Sequence, residues 1–132
     1  MNKLKRILLI DDDFVTNFIN ENLIKEMGIA EEILCFKNGK EAIDFFKNRD
    51  SSQPPIDLVF LDLNMPVMDG FQFMEAYHKL EKKSTSEVIV AMLTSSSLEK
   101  EKEIADQLGV QEHLNKPLTK EKINQLFLKY YS

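Results

Sequence analysis

Four aspartates close apolar runs in this chain. Asp11-Asp12-Asp13 follow Ile7-Leu8-Leu9-Ile10, and Asp62 follows Asp57-Leu58-Val59-Phe60-Leu61. Two later runs lead into Thr94-Ser95-Ser96 and Asn115-Lys116-Pro117. If the first and third runs lie side by side, two or three carboxylates face Asp62 across a small gap. Clustered carboxylates repel one another. A hard divalent cation relieves that repulsion, and an oxygen-only ligand set favours Mg²⁺, which keeps positions open for water or phosphate oxygens. A lysine and a hydroxyl on the far side complement a phosphoryl group. A carboxylate nucleophile forming an acyl phosphate fits every part of this set.

These residues need a scaffold that brings run ends together. Ile7–Ile10 is a short unbroken apolar run and predicts a strand buried on both faces. Residues 14–27 predict a helix, with an apolar stripe through Val15, Phe18, Ile19, Leu23 and Met27 turned inward and Gly28 as its stop. Residues 33–36 predict a second strand, and Asn38 caps a helix to about Lys47 with Ala42, Ile43 and Phe46 inward. Residues 57–61 predict a third strand, and Asn64–Gly70 an irregular loop carrying Pro66. Phe73, Ala76, Tyr77 and Leu80 recur at helical spacing. Residues 88–93 predict a strand, 97–108 a helix, 111–114 a short strand, and Ile123, Leu126, Phe127 and Tyr130 a last helix. Strand and helix alternate five times, which implies an α/β fold with a parallel sheet covered on both faces. Ligand sites in such sheets lie beyond the carboxyl ends of the strands, where the aspartates, Thr94 and Lys116 fall.

Composition narrows the function classes. A length of 132 residues predicts one domain. With 43% hydrophobic and 30% charged residues the chain can bury a core, which argues against disorder. The net charge of −5 argues against a nucleic-acid partner. The single cysteine, Cys35, excludes an internal disulfide and suggests a reducing, cytoplasmic setting. No apolar run approaches a membrane span, and the basic start Met1–Arg6 is followed by too short an apolar stretch for a signal peptide. The sequence stops at Ser132, directly after the last helical stripe, so no output domain is expected behind it.

Four phrases, in order and spacing, resemble the receiver domain of bacterial two-component response regulators over nearly the whole chain. They are Ile7–Asp13, Asp57–Gly70 (with Asp62-Leu63-Asn64-Met65-Pro66-Val67-Met68-Asp69-Gly70), Met92–Ser95 and Leu114–Leu118. The resemblance implies a flavodoxin-like (βα)5 three-layer sandwich with strand order 2-1-3-4-5. It implies that Asp62 accepts a phosphoryl group from a sensor histidine kinase or histidine phosphotransfer protein. Asp11, Asp12, Asp62 and the backbone carbonyl of Asn64 would hold Mg²⁺, Thr94 would be the switch hydroxyl, and Lys116 would pair with the phosphoryl oxygens. The Lys116-Pro117 bond is typically cis in that family. Asn64 and Ser96 occupy positions that tune hydrolysis there. His113 departs from the pattern, because the family usually places Tyr or Phe three residues before the lysine. By resemblance, then, the chain is a stand-alone phospho-acceptor, self-catalysed at most and not otherwise an enzyme. It would signal to an unknown downstream protein through the face formed by residues 97–108, 111–114 and 119–131, or pass the phosphoryl group on.

Blander roles stand beside these. Asp13 reads as a cap for the 14–27 helix, Met65 and Met68 as loop packing, Cys35 as a small buried apolar residue, and the Glu/Lys run at 99–103 as a solvated helix face. The alternative function is a haloacid-dehalogenase-like phosphatase with Asp11 as nucleophile, since Asp11-Asp12-Asp13-Phe14-Val15 fits its opening motif. That reading leaves Asp62 without a role and lacks an acidic pair after Lys116. A flavodoxin-like cofactor binder would need a phosphate loop where three aspartates stand.

Overall fold

The computed structural model describes residues 3–80 and 88–131; Met1, Asn2 and Ser132, invoked above, lie outside them. Five strands alternate with five helices: β1 (Leu4–Ile10), α1 (Phe14–Met27), β2 (Ala30–Phe36), α2 (Gly39–Lys47), β3 (Leu58–Asp62), α3 (Gly70–His78), β4 (Ile89–Thr94), α4 (Glu99–Gln107), β5 (Glu112–Asn115) and α5 (Lys120–Tyr130). The strands form one sheet in the order β2-β1-β3-β4-β5, every neighbouring pair parallel. Alternate residues of the central strands feed two cores. Ile7, Leu9, Leu58 and Phe60 pack with Ile24, Ile123, Leu126 and Phe127 of α1 and α5. Leu8, Ile10, Val59, Leu61 and Met92 pack with Ala42, Phe73, Tyr77 and Ala105 of α2, α3 and α4. Both faces are covered, so the central strands are continuously apolar.

Element ends differ from expectation by up to three residues. β1 and β2 each start earlier, because the β1–β2 ladder extends down to Leu4↔Ala30. Asp57 lies before β3, where its Oδ2 accepts the Lys5 backbone N–H at 2.6 Å. Asp62 is the last residue of β3. The helix expected at 97–108 begins at Glu99, with Leu98 at its N-cap position.

The larger correction is the face that α1 turns inward. Asn17, Asn20 and Ile24 are buried. Phe14, Val15, Phe18 and Ile19 are exposed at 80%, 58%, 55% and 57%; of the expected stripe only Leu23 and Met27 pack against the core. The cause is a hydrogen-bonding need. The Asn17 amide donates to the carbonyls of Asp11 (2.9 Å) and Phe36 (3.3 Å), where β1 and β2 end. Buried strand-end carbonyls require donors, and Asn17 meets two of them at once. Cys35 is a second correction: it is exposed on the edge strand β2, its thiol 3.6 Å from Glu21 Oε1. Among the described residues no helix is long and apolar enough to cross a membrane.

Candidate functional site

Beyond the carboxyl ends of β1 and β3, ligand oxygens of Asp11, Asp12 and Asp62 lie within 4.8 Å of one another. The β1–β3 register, Ile10↔Leu61, brings the two strand ends level. Asp11 and Asp62 are buried, at 4% and 2% exposure, and Asp12 is exposed. Asp13 turns away to cap α1, accepting from the Val15 N–H at 3.1 Å and the Thr16 hydroxyl at 2.8 Å.

Lys116 reaches the cluster from the loop after β5. Its Nζ lies 2.8 Å from Asp62 Oδ1 and 3.7 Å from Asp11 Oδ2. That loop is fixed at three points. The Lys116 N–H donates to the Thr94 carbonyl at 2.8 Å. The Lys122 ammonium of α5 donates to the carbonyls of Asn115 and Pro117 at 2.6 and 2.8 Å. The Lys116-Pro117 bond is cis, as the resemblance implied. Thr94 is fully buried at the end of β4, one residue past Leu93, the cross-strand partner of Asp62. The Asn64 backbone lies beside the pocket, its N–H donating to Asp62 Oδ1 at 3.3 Å.

The charges do not balance. Among the described residues three carboxylates share one ammonium, and Asp11 Oδ2 is buried without a hydrogen-bond partner. Burial pushes the Asp11 carboxyl up to about 6, helped by Asp62 and Asp12 and opposed by the Asp13 backbone N–H and Lys116. Burial alone would lower Lys116, but its Asp62 hydrogen bond and the Asp11, Asp62 and Asp12 charges hold it above the ordinary lysine value. The orphaned oxygen and the oxygen-only ligands fit a small hard cation such as Mg²⁺.

A pH dependence follows. Folded Asp11 keeps a proton to about pH 6, whereas the unfolded group releases it near 3.8. The folded state therefore binds more protons in that window, and stability falls as pH rises through it, by about 3 kcal/mol in all, then levels off. Urea unfolding in EDTA at pH 4, 5, 6 and 7 checks this. Asp11→Asn should flatten the profile, and a profile rising with pH in the wild type alone would contradict it.

The β3–α3 loop closes the pocket's rim. Gly70 sits where a Cβ would lie 2.9 Å from the Leu63 Cα and 3.0 Å from the Asp62 carbonyl oxygen, so a side chain there would push on the backbone of Asp62 itself. Met65 is buried and Met68 lies against Gly39, as loop packing predicted. Val67 is fully exposed with φ of 71°, between a Pro66 carbonyl and a Met68 N–H that hydrogen-bond at 2.9 Å. A β-branched residue is strained in such a turn. Val67→Asn should raise stability by about 1 kcal/mol, read as a higher urea midpoint with an unchanged slope.

His113 pairs with Met92 across β4–β5, so its ring lies on the α2–α4 side of the sheet, as Thr94 does, two residues after Met92 on β4. Its Nε2 is buried with no hydrogen-bond partner. The structure also adds two residues that sequence reasoning passed over. Asn17 was hidden inside an apolar-looking helix. Glu101, assigned to a solvated face, is half-buried and accepts from Thr94 at 3.4 Å.

The chain belongs to the response regulator receiver domain family, whose model matches residues 7–127. Two-component response regulator ARR22 of Arabidopsis thaliana is 31% identical over 121 residues, covering 92% of this chain and 80% of that protein. A two component response regulator from Cytophaga hutchinsonii has a similar crystal structure, with TM-score 0.84 and 28% identity over 97% of each chain. The receiver domain of the Arabidopsis histidine kinase CKI1, crystallised with Mg²⁺, shares the fold at TM-score 0.76 and 24% identity, over 97% of this chain and 90% of that one. The chain spans only 6% of hybrid signal transduction histidine kinase B of Dictyostelium discoideum and 13% of sensor histidine kinase GacS of Pseudomonas protegens, which it also matches. Family members act in two-component signalling with histidine kinases or phosphotransfer proteins, and bind Mg²⁺ at an acidic pocket. The phosphatase alternative is not favoured: Asp62, idle in that reading, is the carboxylate that Lys116 holds at 2.8 Å.

Proposed function

We propose that this chain accepts a phosphoryl group on Asp62 from the phosphohistidine of a kinase or phosphotransfer protein, in the cytoplasm. The observation that carries the reading is the pairing of a buried Asp62 with Lys116 inside a three-carboxylate cluster. An Asp62 oxygen attacks the phosphorus, the O–P bond forms, the P–N bond breaks, and the imidazole leaves with the electron pair. Asp11, Asp12 and Asp62, with the Asn64 carbonyl beside them, would hold Mg²⁺, and the Mg²⁺-bound CKI1 domain supports this. Bound there, the ion would offset charge on the transferring oxygens. Lys116 and Thr94 complement those oxygens from the other side. The chain turns over no separate substrate; it catalyses its own phosphorylation and hydrolysis, with Asn64 and Ser96 at the positions that tune hydrolysis in the family.

The donor must cover the pocket rim to deliver its phosphohistidine. The exposed Phe14, Val15, Phe18 and Ile19 begin three residues after Asp11, with the Phe14 and Phe18 rings stacked 6.5 Å apart. An apolar face continuous with the pocket fits the donor as its occupant. Output follows as altered binding of a partner at α4, β5 and α5, with His113 responding, or as onward transfer. The match over 80% of ARR22 supports a regulator that is mostly receiver.

With acetyl phosphate and Mg²⁺ the wild type should gain one acid-stable, base-labile phosphoryl group by intact mass. Phe14→Ser with Phe18→Ser should keep that rate yet slow transfer from a phosphorylated phosphotransfer protein at least tenfold. Equal slowing from both donors would place the defect in the pocket, not in docking.

A further inference from the structure

Four helices begin on a side chain that accepts a first-turn backbone N–H: Asp13 for α1, Asn38 for α2, Asp69 for α3 and Thr119 for α5. α4 begins on Leu98, which offers no side-chain cap, and α4 buries only Ala105. Its first turn is joined to the sheet in another way. Glu101, in the third position of the helix, accepts the Thr94 hydroxyl on Oε1 at 3.4 Å. Glu101 is half-buried while Glu99, Lys100, Lys102 and Glu103 around it are exposed.

A threonine hydroxyl has one proton to donate. Thr94 Oγ1 already accepts the Ser96 N–H at 3.0 Å, so its proton is the part of the group that can change partner. We infer that Glu101 is a positioning residue that latches α4: it holds the Thr94 proton, and the first turn with it, until a phosphoryl oxygen takes that proton. The inference rests on Thr94 facing the phosphoryl group, as proposed above. The two acceptors exclude each other. Once the proton is taken, the first turn of α4 loses its tie to β4. Coupling is reciprocal, so a weaker latch means a stronger hold on the phosphoryl group.

Titration with beryllium fluoride and Mg²⁺, followed by amide spectra, tests the coupling. Glu101→Ala should tighten apparent affinity about three- to tenfold. Glu101→Gln, whose amide oxygen still accepts the proton, should tighten it less. In a Thr94→Ala background, Glu101→Ala should change nothing. Equal tightening with and without the hydroxyl, or equal effects of Ala and Gln, would reduce Glu101 to a nearby charge and overturn the latch. Amide hydrogen exchange at residues 99–104 without beryllium fluoride reads the latch separately. Glu101→Ala should speed it about three- to tenfold in the wild type and not in Thr94→Ala; unchanged exchange in both refutes the inference. Failure of the wild type to bind beryllium fluoride would count against the phospho-acceptor reading, while the exchange cycle still decides the latch.

Discussion

Asp62→Asn should gain no phosphoryl mass from acetyl phosphate and Mg²⁺ under conditions that label the wild-type chain fully. Asn is nearly isosteric, so the packing of this buried group survives, and Lys116 keeps Asp11 Oδ2 within 3.7 Å. What disappears is the anionic oxygen that attacks phosphorus, and a neutral amide oxygen is a poor nucleophile. Circular dichroism should match the wild type, which separates lost chemistry from lost fold. Persistent labelling of Asp62→Asn would move the nucleophile to Asp11 and bring back the phosphatase mechanism set aside above.

Lys116→Ala should have two effects of opposite sign. Phosphorylation by acetyl phosphate should slow by about 10²-fold or more, because the ammonium aimed at the pocket is removed from the developing negative charge. Mg²⁺ binding should tighten about tenfold, because the same ammonium competes with the metal for Asp62 Oδ1 at 2.8 Å. Calorimetric Mg²⁺ titration reads the second effect without any phosphoryl chemistry. Loss of both activities together would instead indicate collapse of the 115–119 loop, whose carbonyls Lys122 holds.

The sheet was legible because its central strands β1, β3 and β4 carry unbroken apolar runs, each ended by a residue with chemistry: Ile10 before Asp11, Leu61 before Asp62, Leu93 before Thr94. The carboxylate cluster and Lys116 were legible for the same reason, since a parallel sheet puts strand ends at one edge. The inward face of α1 was not. Apolar periodicity assigns Val15, Phe18 and Ile19 to the core, but the demand of two buried carbonyls turned Asn17 inward and left the apolar residues out. Asn17 and Asn20, set at helical spacing with Ile24, were the available signal. Cys35 was misplaced because nothing local marks β2 as an edge strand. Glu101 was absorbed into a charge run because its contact with Thr94 depends on how α4 crosses β4. The turn at Val67 is likewise set by loop closure over Gly70, not by its own residue type.

The pairing of β1 with β3 has a consequence for how the protein matures. Asp11 and Asp62 stand 51 positions apart (62 − 11), and Lys116 a further 54 (116 − 62), so no local segment carries the pocket. Distant strand pairs close late and slowly during folding, since loop entropy must be overcome first. A chain still emerging, or one with β3 undocked, holds isolated acids without their ammonium and has nothing with which to accept a signal. On the proposed phospho-acceptor reading, incompletely folded copies are therefore silent and draw no phosphoryl groups from the donor.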